Sequence, residues 1–459
     1  MLFPSLVGHA AELYRIIWKS PQPADAIASE FFRSHKYIGS KERKFISETV
    51  FATLRMHSTA THIAEAHHIA PRKEPIPLEK EIKIILAGCL FGERIGAYSP
   101  LPLLNRSFVK NDGEYSIEDL CKETLVARLE YSTQDATEWI TATEQSFKEL
   151  AEENSYTYWC LPEWIAASWK NRDVAPLALS LLKSAPVCCR VNSRAISRQR
   201  ALEELAKVPI VAAPSALSPD GIVLAGRDQL SQVELFKSGA IEVQDIGSQI
   251  IGYALAPEED WTILDACAGA GGKSLHLAAL QNDSGTIIST DIEFKRLREL
   301  DFRAKRAGFQ SISTFILSPK NEKALAQFIG RCDAVLVDAP CSGMGTARRM
   351  PMVKWRLTAS LIAKLARKQV EILTEKSRYV RHGGVLVYAT CSLMPQENEE
   401  VVNRFLKEND NFELEPLDTA FSSYGITIEG MEKDASMTTL LPNVHGTDGF
   451  FIARMRRVE

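Results

Sequence analysis

The sequence predicts an α/β chain in three parts: an all-α domain over 1–148, a small α+β domain over 149–235, and a larger domain over 236–459 built on a mostly parallel sheet. Three observations predict it. Before residue 148, apolar residues recur at three-to-four spacing and no strand pattern interrupts them. Between 149 and 235, short apolar runs flank one helical segment. From 236 onward, near-continuous apolar runs alternate with helical segments, the pattern of parallel strands covered on both faces by crossover helices.

Composition sets the outer bounds. The 459 residues, 45% hydrophobic and 24% charged, suit two or three globular domains. A net charge of −4 excludes a chain-wide basic coat, so binding to nucleic acid requires a local basic patch. The nine cysteines are odd in number, scattered, and contain no C-x-x-C, which argues against a metal site. The N-terminus has no basic segment followed by a long apolar one, and no run of eighteen apolar residues follows. The expectation is a cytoplasmic, monomeric protein with no membrane association and reduced thiols.

In the first domain, "HAAELYRIIWKS", "PADAIASEFFRSH", "SKERKFISETVFATLRMHSTATHIAEA" and "LEKEIKIILAGCLFGERIG" read as amphipathic helices, the third capped by Ser40 with Arg43 at the capping-box position. His57, His62, His67 and His68 cluster here but share no single helical face, so solvated or packed histidines are expected rather than ligands. In the second domain, "APVCCRVNS" and "GIVLAG" read as strands around the helix "SRQRALEELAKV". Cys188 and Cys189, adjacent on a strand, point to opposite faces, which places one of them in the core. In the third domain, strands are expected at 261–267, 286–291, 312–317, 333–339 and 384–391, and "TDGFFIARMRR" reads as a final antiparallel edge strand.

The run "LDACAGAGGKS" leads from a strand into a helix. Gly269, Gly271 and Gly272 allow a tight turn and close approach of a ligand to the backbone. The G-x-G-x-x-G spacing fails because Ser274 stands at the third glycine, and the Walker A form fails as well. Asp291 ends the next strand, 22 residues after Gly269, where a carboxylate can accept both ribose hydroxyls. The ligand is therefore expected to be a nucleoside cofactor without an essential pyrophosphate, and S-adenosylmethionine fits; the plain alternative is an ordinary strand–turn–helix.

Two cysteines stand at two strand ends: Cys341 in "VLVDAPCSG" and Cys391 in "YATCSLMPQENE". A lone cysteine there is usually packing. A pair beside a ligand loop suits covalent activation of a pyrimidine, in which a thiolate adds to carbon 6 and makes carbon 5 nucleophilic. Asp338, three residues before Cys341, is placed to supply an acid near ring nitrogen N3, or simply to cap the loop.

"DACAGAGGKS", "DAPCSGMG", "KW", "TCSLMPQENE" and "HGTDGFFIA" resemble the RNA cytosine-C5 methyltransferases of the Sun type, and the helical front resembles the antitermination factor NusB, as in the ribosomal small-subunit methyltransferase B subfamily. "RVN" and "FKSGAIEVQDIGSQ" also match that family's run into the catalytic domain. The resemblance implies a class I methyltransferase domain with a seven-stranded sheet and S-adenosyl-L-methionine as cofactor. It implies RNA as partner, with small-subunit ribosomal RNA foremost. It makes Cys391 the nucleophile, assigns Cys341 to product release, and sets Asp338 on the N3 edge. Cys267, Ala268, Gly269, Ala270, Gly271, Gly272 and Lys273 map to the cofactor loop, with Asp291 on the ribose, Asp338 beside the cofactor, and Lys273 orienting this region. Two departures stand out. Ser318 takes the place of an acid after the third strand, with Glu322 the substitute, and Met350 and Met352 stand where His and Asp are common. Transfer RNA as substrate and an inactive RNA-binding assembly factor are the alternatives.

The stretch 348–368 holds Arg348, Arg349, Lys354, Arg356, Lys364, Arg367 and Lys368 and no acid. An RNA backbone would find such an excess of one sign, with Arg348, Arg349, Lys354 and Arg356 as the foremost contacts; a solvated face is the plain alternative. Trp355 is expected to pack.

Overall fold

The computed structural model describes residues 1–66, 75–104, 115–170, 172–226 and 230–458, so His67 and His68 lie outside the described residues. The chain forms two compact units: Met1–Ser184 with Ala347–Arg356, and Ala185–Thr346 with Leu357–Glu459.

Every described helix or strand of the first unit is helical. Its long helices are Phe3–Lys19, Ala24–Ser34, Ser40–Arg55, His57–Ala66, Glu79–Arg94, Ile117–Leu129 and Thr133–Glu153. The last of these runs through the expected boundary at 148. In the first helix Phe3, Leu6, Val7, Ala10, Leu13, Tyr14 and Ile17 are all buried, the stripe that three-to-four spacing dictates. Burial of each large member contributes about 1.5–3 kcal/mol. Ser116 and Ser132 cap their helices in reciprocal boxes with Asp119 and Asp135. Ser40 does not cap the third helix. It is the first helical residue, Gly39 precedes it, and the Gly39 N–H donates to Glu42 Oε2 at 2.6 Å. His57 stacks on Trp18 at 3.6 Å between ring centroids; burial, then the Lys354 and Lys80 charges, lower its pKa to about 4. His62 is exposed.

Residues 347–356 fold into this helical unit, and the physical reason corrects the expected RNA contact. Lys354 is 1% exposed, and its ammonium donates to Arg55 O at 2.6 Å, while Trp355 Nε1 donates to Leu54 O at 2.8 Å. Both cap the C-terminal carbonyls of helix Ser40–Arg55, where positive charge is favoured. Arg356 does the same for the first helix, donating to Ser20 O at 2.5 Å and Ile17 O at 3.2 Å. Arg348 is 8% exposed and donates to Ser184 O. Three of the four expected phosphate contacts are thus committed to main-chain carbonyls; Arg349 is half-buried.

The second unit carries two sheets. The smaller is antiparallel, in the order β2-β3-β1-β4, with β1 (Val187–Val191), β2 (Ala212–Pro214), β3 (Gly221–Leu224) and β4 (Ile241–Val243). Its fourth strand lies beyond the expected boundary at 235. Cys188 and Cys189 are both buried, because both faces of β1 are covered.

The larger sheet contains β5 (Thr262–Asp265), β6 (Thr286–Asp291), β7 (Ile312–Ile316), β8 (Cys332–Asp338), β9 (Val380–Thr390), β10 (Phe412–Leu414), β11 (Met437–Leu440) and β12 (Phe450–Arg457). Its order is β10-β12-β9-β8-β5-β6-β7, with β11 also on β12. Strands β9, β8, β5, β6 and β7 are parallel neighbours, and β12 is antiparallel. Two expectations are corrected here: the sheet has eight strands rather than seven, and β12 is interior rather than an edge. The cause is the short pair β10 and β11, three and four residues long, which cover the apolar β12 on the side away from β9. Ile263, Ile287, Leu336 and Val387 face one apolar cluster, whereas Leu264, Ile288, Val337 and Leu386 face the other, as period-two alternation requires. Among the described residues no helix is long and apolar enough to cross a membrane.

The turn after β8 presses against the segment before β12. Gly345 N–H donates to Cys391 O at 2.9 Å, and Gly449 N–H donates to Gly345 O at 2.8 Å. A Cβ on Gly345 would collide with the main-chain oxygen of Gly449, which has no side chain to swing away. Gly345→Ala should therefore lower the unfolding free energy by about 1–3 kcal/mol, read by denaturant titration.

Candidate active site

Strand order reverses between β5 and β8: β6 and β7 lie to one side, β8 and β9 to the other. Open α/β sheets bind ligands outside the carboxyl ends of their strands at such a point. The ends of β5, β6, β8 and β9 here carry the glycine loop, Asp291, Asp338 with Cys341, and Cys391.

The glycine loop spans the turn from β5 into helix Gly272–Leu280. Gly269 has φ +56° with open space where a Cβ would stand, while Gly271 has φ +83° and a Cβ there would strike Leu300. Gly271 is thus required by packing, and Gly269 leaves room for a ligand. The Gly269 N–H donates to Asp291 Oδ2 at 2.9 Å, so loop and acid are tied together. Glu293 N–H donates to Asp291 Oδ1 at 2.8 Å. The Ala270 carbonyl is held by Arg303 at 2.6 Å. An open, glycine-lined turn with a carboxylate at the next strand end fits the nucleoside part of S-adenosylmethionine.

Lys273 donates to Asp338 Oδ2 at 2.6 Å. Burial pulls the lysine pKa down, but the Asp338 charge and hydrogen bond outweigh it and the net shift is upward. Lys273 thus stays cationic among carboxylates. Cys267, in the same loop, is pushed up to about 12 by burial and by Asp338, Asp265 and Asp291, which makes it an inert wall.

Cys341 and Cys391 meet, with their sulfurs 3.3 Å apart. The hydrogen bond to Cys391 holds the Cys341 pKa well above the usual thiol range, with burial and the charges of Cys391 and Glu397 acting in the same direction. Cys341 therefore stays protonated.

Two residues here escaped the sequence reading. Asp265, at the end of β5, is fully buried and accepts from Ser274 Oγ at 2.6 Å, which explains why a serine replaces the third glycine. Glu397, also fully buried, accepts hydrogen bonds from the loops of both cysteines. Glu397 lay in plain view inside "TCSLMPQENE", but its partners are far away in sequence. Ser318 stands at the N-cap of helix Pro319–Ala326, and the Glu322 side chain lies outside the described residues. Met352 is in the core of the helical unit, and Met350 is exposed.

The doubly covered sheet, its reversal point, the open glycine loop and the strand-end acid define a class I S-adenosylmethionine-dependent methyltransferase. Residues 252–456 match the family model described as 16S rRNA methyltransferase RsmB/F, and residues 159–230 match that of the RsmF/B-like ferredoxin-like domain. The probable ribosomal RNA small subunit methyltransferase B of Synechocystis sp. is 33% identical over 311 residues, 67% of this chain and 68% of that protein. The corresponding Bacillus subtilis protein is 32% identical, over 69% of each chain. The crystal structure of PH0851 shares the fold over 99% of both chains, with a TM-score of 0.71 and 22% identity. The chain belongs to the RsmB/F family of ribosomal RNA methyltransferases.

Burial, opposed by the Ser274 hydroxyl and reinforced by Asp338, raises the Asp265 pKa to about 6. The folded state then holds this proton more tightly than the unfolded chain, in which the group titrates near 4. Stability from this group is full below about pH 4 and is lost as pH rises through about 6. Relative to Asp265→Asn, the wild-type chain should lose roughly 1–3 kcal/mol across that window, read by denaturant unfolding at a series of pH values.

Proposed function

We propose that the chain forms 5-methylcytosine in small-subunit ribosomal RNA, with Cys391 adding covalently to carbon 6 of the base. The observation that carries this reading is the meeting of two thiols at the ends of adjacent parallel strands, beside the glycine loop. Cys391 is the attacker and Cys341, held protonated, is its partner. The Cys391 thiol gives its proton to solvent and adds as the thiolate, which puts negative charge on the ring, and the Lys273–Asp338 pair supplies hydrogen bonding and positive charge at the N3 edge. When bound, S-adenosylmethionine supplies an electrophilic methyl group for carbon 5. The carbon-5 proton then leaves to solvent, the carbon–sulfur bond breaks, and the Cys341 S–H stabilises the departing Cys391 thiolate. The target base has to leave any stack to reach these groups, which unpaired RNA permits most cheaply. Lys364, Arg367 and Lys368 are exposed on helix Ala359–Ser377 and take the place of the buried Arg348 and Lys354 as phosphate contacts.

The two thiols make opposite demands on a mutant. Cys391→Ala should form neither adduct nor product. Cys341→Ala should attack and then stall, leaving a protein–RNA complex that survives a denaturing gel and vanishes in the double variant, since losing a positioned proton donor slows such a step by about 10²–10⁴-fold. A complex trapped in Cys391→Ala instead would reverse the roles.

The ribose assignment is checked separately. Asp291→Ala should weaken S-adenosylmethionine binding in calorimetry by about 1.5–3 kcal/mol, the usual range for hydrogen bonds to a charged group. Unchanged affinity would remove Asp291 from the cofactor site.

A further inference from the structure

We propose that Glu397 is a positioning residue that fixes the separation of the two thiols by holding both cysteine loops on one buried carboxylate. The two loops are built alike. Each cysteine is followed by a serine whose oxygen accepts the N–H two residues on: Met344 N–H to Ser342 Oγ at 3.3 Å, and Met394 N–H to Ser392 Oγ at 3.0 Å. Each serine hydroxyl therefore has its proton to give, and both give it to Glu397 Oε2, each at 2.5 Å. The other oxygen, Oε1, accepts the Ser342 N–H at 2.8 Å and Gln369 Nε2 at 3.0 Å.

The clamp extends to the far side of each cysteine. Gln369 also donates to Pro340 O at 3.0 Å, directly before Cys341. Asn398, the neighbour of Glu397, accepts from Thr390 Oγ1 at 2.6 Å and donates to Ser392 O at 3.0 Å, bracketing Cys391. Glu397, Gln369, Ser392 and Asn398 are all fully buried. A carboxylate that served only to stabilise one turn would need partners in that turn alone. This one joins two segments fifty residues apart, at the residue after each thiol. Its consequence for turnover rests on the covalent reading above, because two sulfurs that serve one carbon–sulfur bond must keep their spacing, and an ångström of misplacement can cost about 10²-fold in rate.

The spacing can be read without RNA. Phenylarsine oxide exchanges its oxygen for the sulfurs of two nearby thiols, whose protons leave with that oxygen as water, so its affinity for the full chain reports how well Cys341 and Cys391 are held together; Cys341→Ser supplies the background. Glu397→Gln should lower that affinity at least tenfold, leave S-adenosylmethionine affinity unchanged, and lower kcat for methyl transfer about 10²-fold. Ser342→Ala and Ser392→Ala should act in the same direction, and combining either with Glu397→Gln should add little. A folded Glu397→Gln chain that binds the arsenical as wild type does would overturn the proposal. If Glu397→Gln does not fold, the serine variants decide: wild-type affinity in both overturns it. Absence of a trapped adduct in Cys341→Ala would sink the cytosine reading and leave the arsenical result standing.

Discussion

Four parallel strands end at one point, where the order of the sheet reverses between β5 and β8, and the catalytic unit is organised around that convergence. Each strand end contributes one element: a turn with open space, an acid tied to that turn, an acid paired with a lysine, and a thiol. None of these groups is near another in sequence except through its own loop. The sheet brings them together because its parallel strands run the same way and so present their carboxyl ends on one edge. The interior position of β12 matters for the same reason. It covers β9 on its far side, so that β9 is buried from Gly384 to Thr390, directly before Cys391.

The local electrostatics then sort residues that look alike in sequence. Cys267, Cys341 and Cys391 are all only partly buried and all lie near the same crevice. Cys267 has three carboxylates around it and is held neutral. Cys341 faces the sulfur of Cys391 and stays protonated. Lys273 is the cation in this group, and its ion pair with Asp338 keeps the lysine charged in a setting that would otherwise deprotonate it. Removing one partner of such an enclosed pair leaves an uncompensated charge, which is why the two are best regarded as one unit.

Much of the fold was legible because buried parallel strands write themselves as apolar runs. The expected strand at 286–291 matches β6 to the residue, and those at 312–317 and 333–339 match β7 and β8 to within one. What was not legible has physical causes. Strands β10 and β11 are short and half-polar, so they carry no periodic signal, and without them β12 reads as an edge. The candidate site was legible in its reactive groups, which sit in loops with distinctive neighbours. It was illegible in its supports, because Asp265, Gln369 and Glu397 act through partners brought in by the fold, and a single buried acid in a polar motif does not announce its donors.

The basic stretch shows how a charge run can mislead. Its excess of one sign is real, but a helix C-terminus presents unpaired carbonyls and a partial negative charge, and a cation satisfies both. Lys354 and Arg356 are used in that way, on the ends of helices Ser40–Arg55 and Phe3–Lys19 respectively. The demand for positive charge came from the protein's own main chain. Sequence alone cannot separate that demand from a phosphate's, since both ask for the same side chains; burial separates them, because a lysine 1% exposed has no surface left to offer a polyanion. The exposed cations of helix Ala359–Ser377 belong to the unit that also carries the thiols, and their charge is spent on solvent or, for Lys368, on a surface pair with Glu371 that is worth little and is easily exchanged for a phosphate.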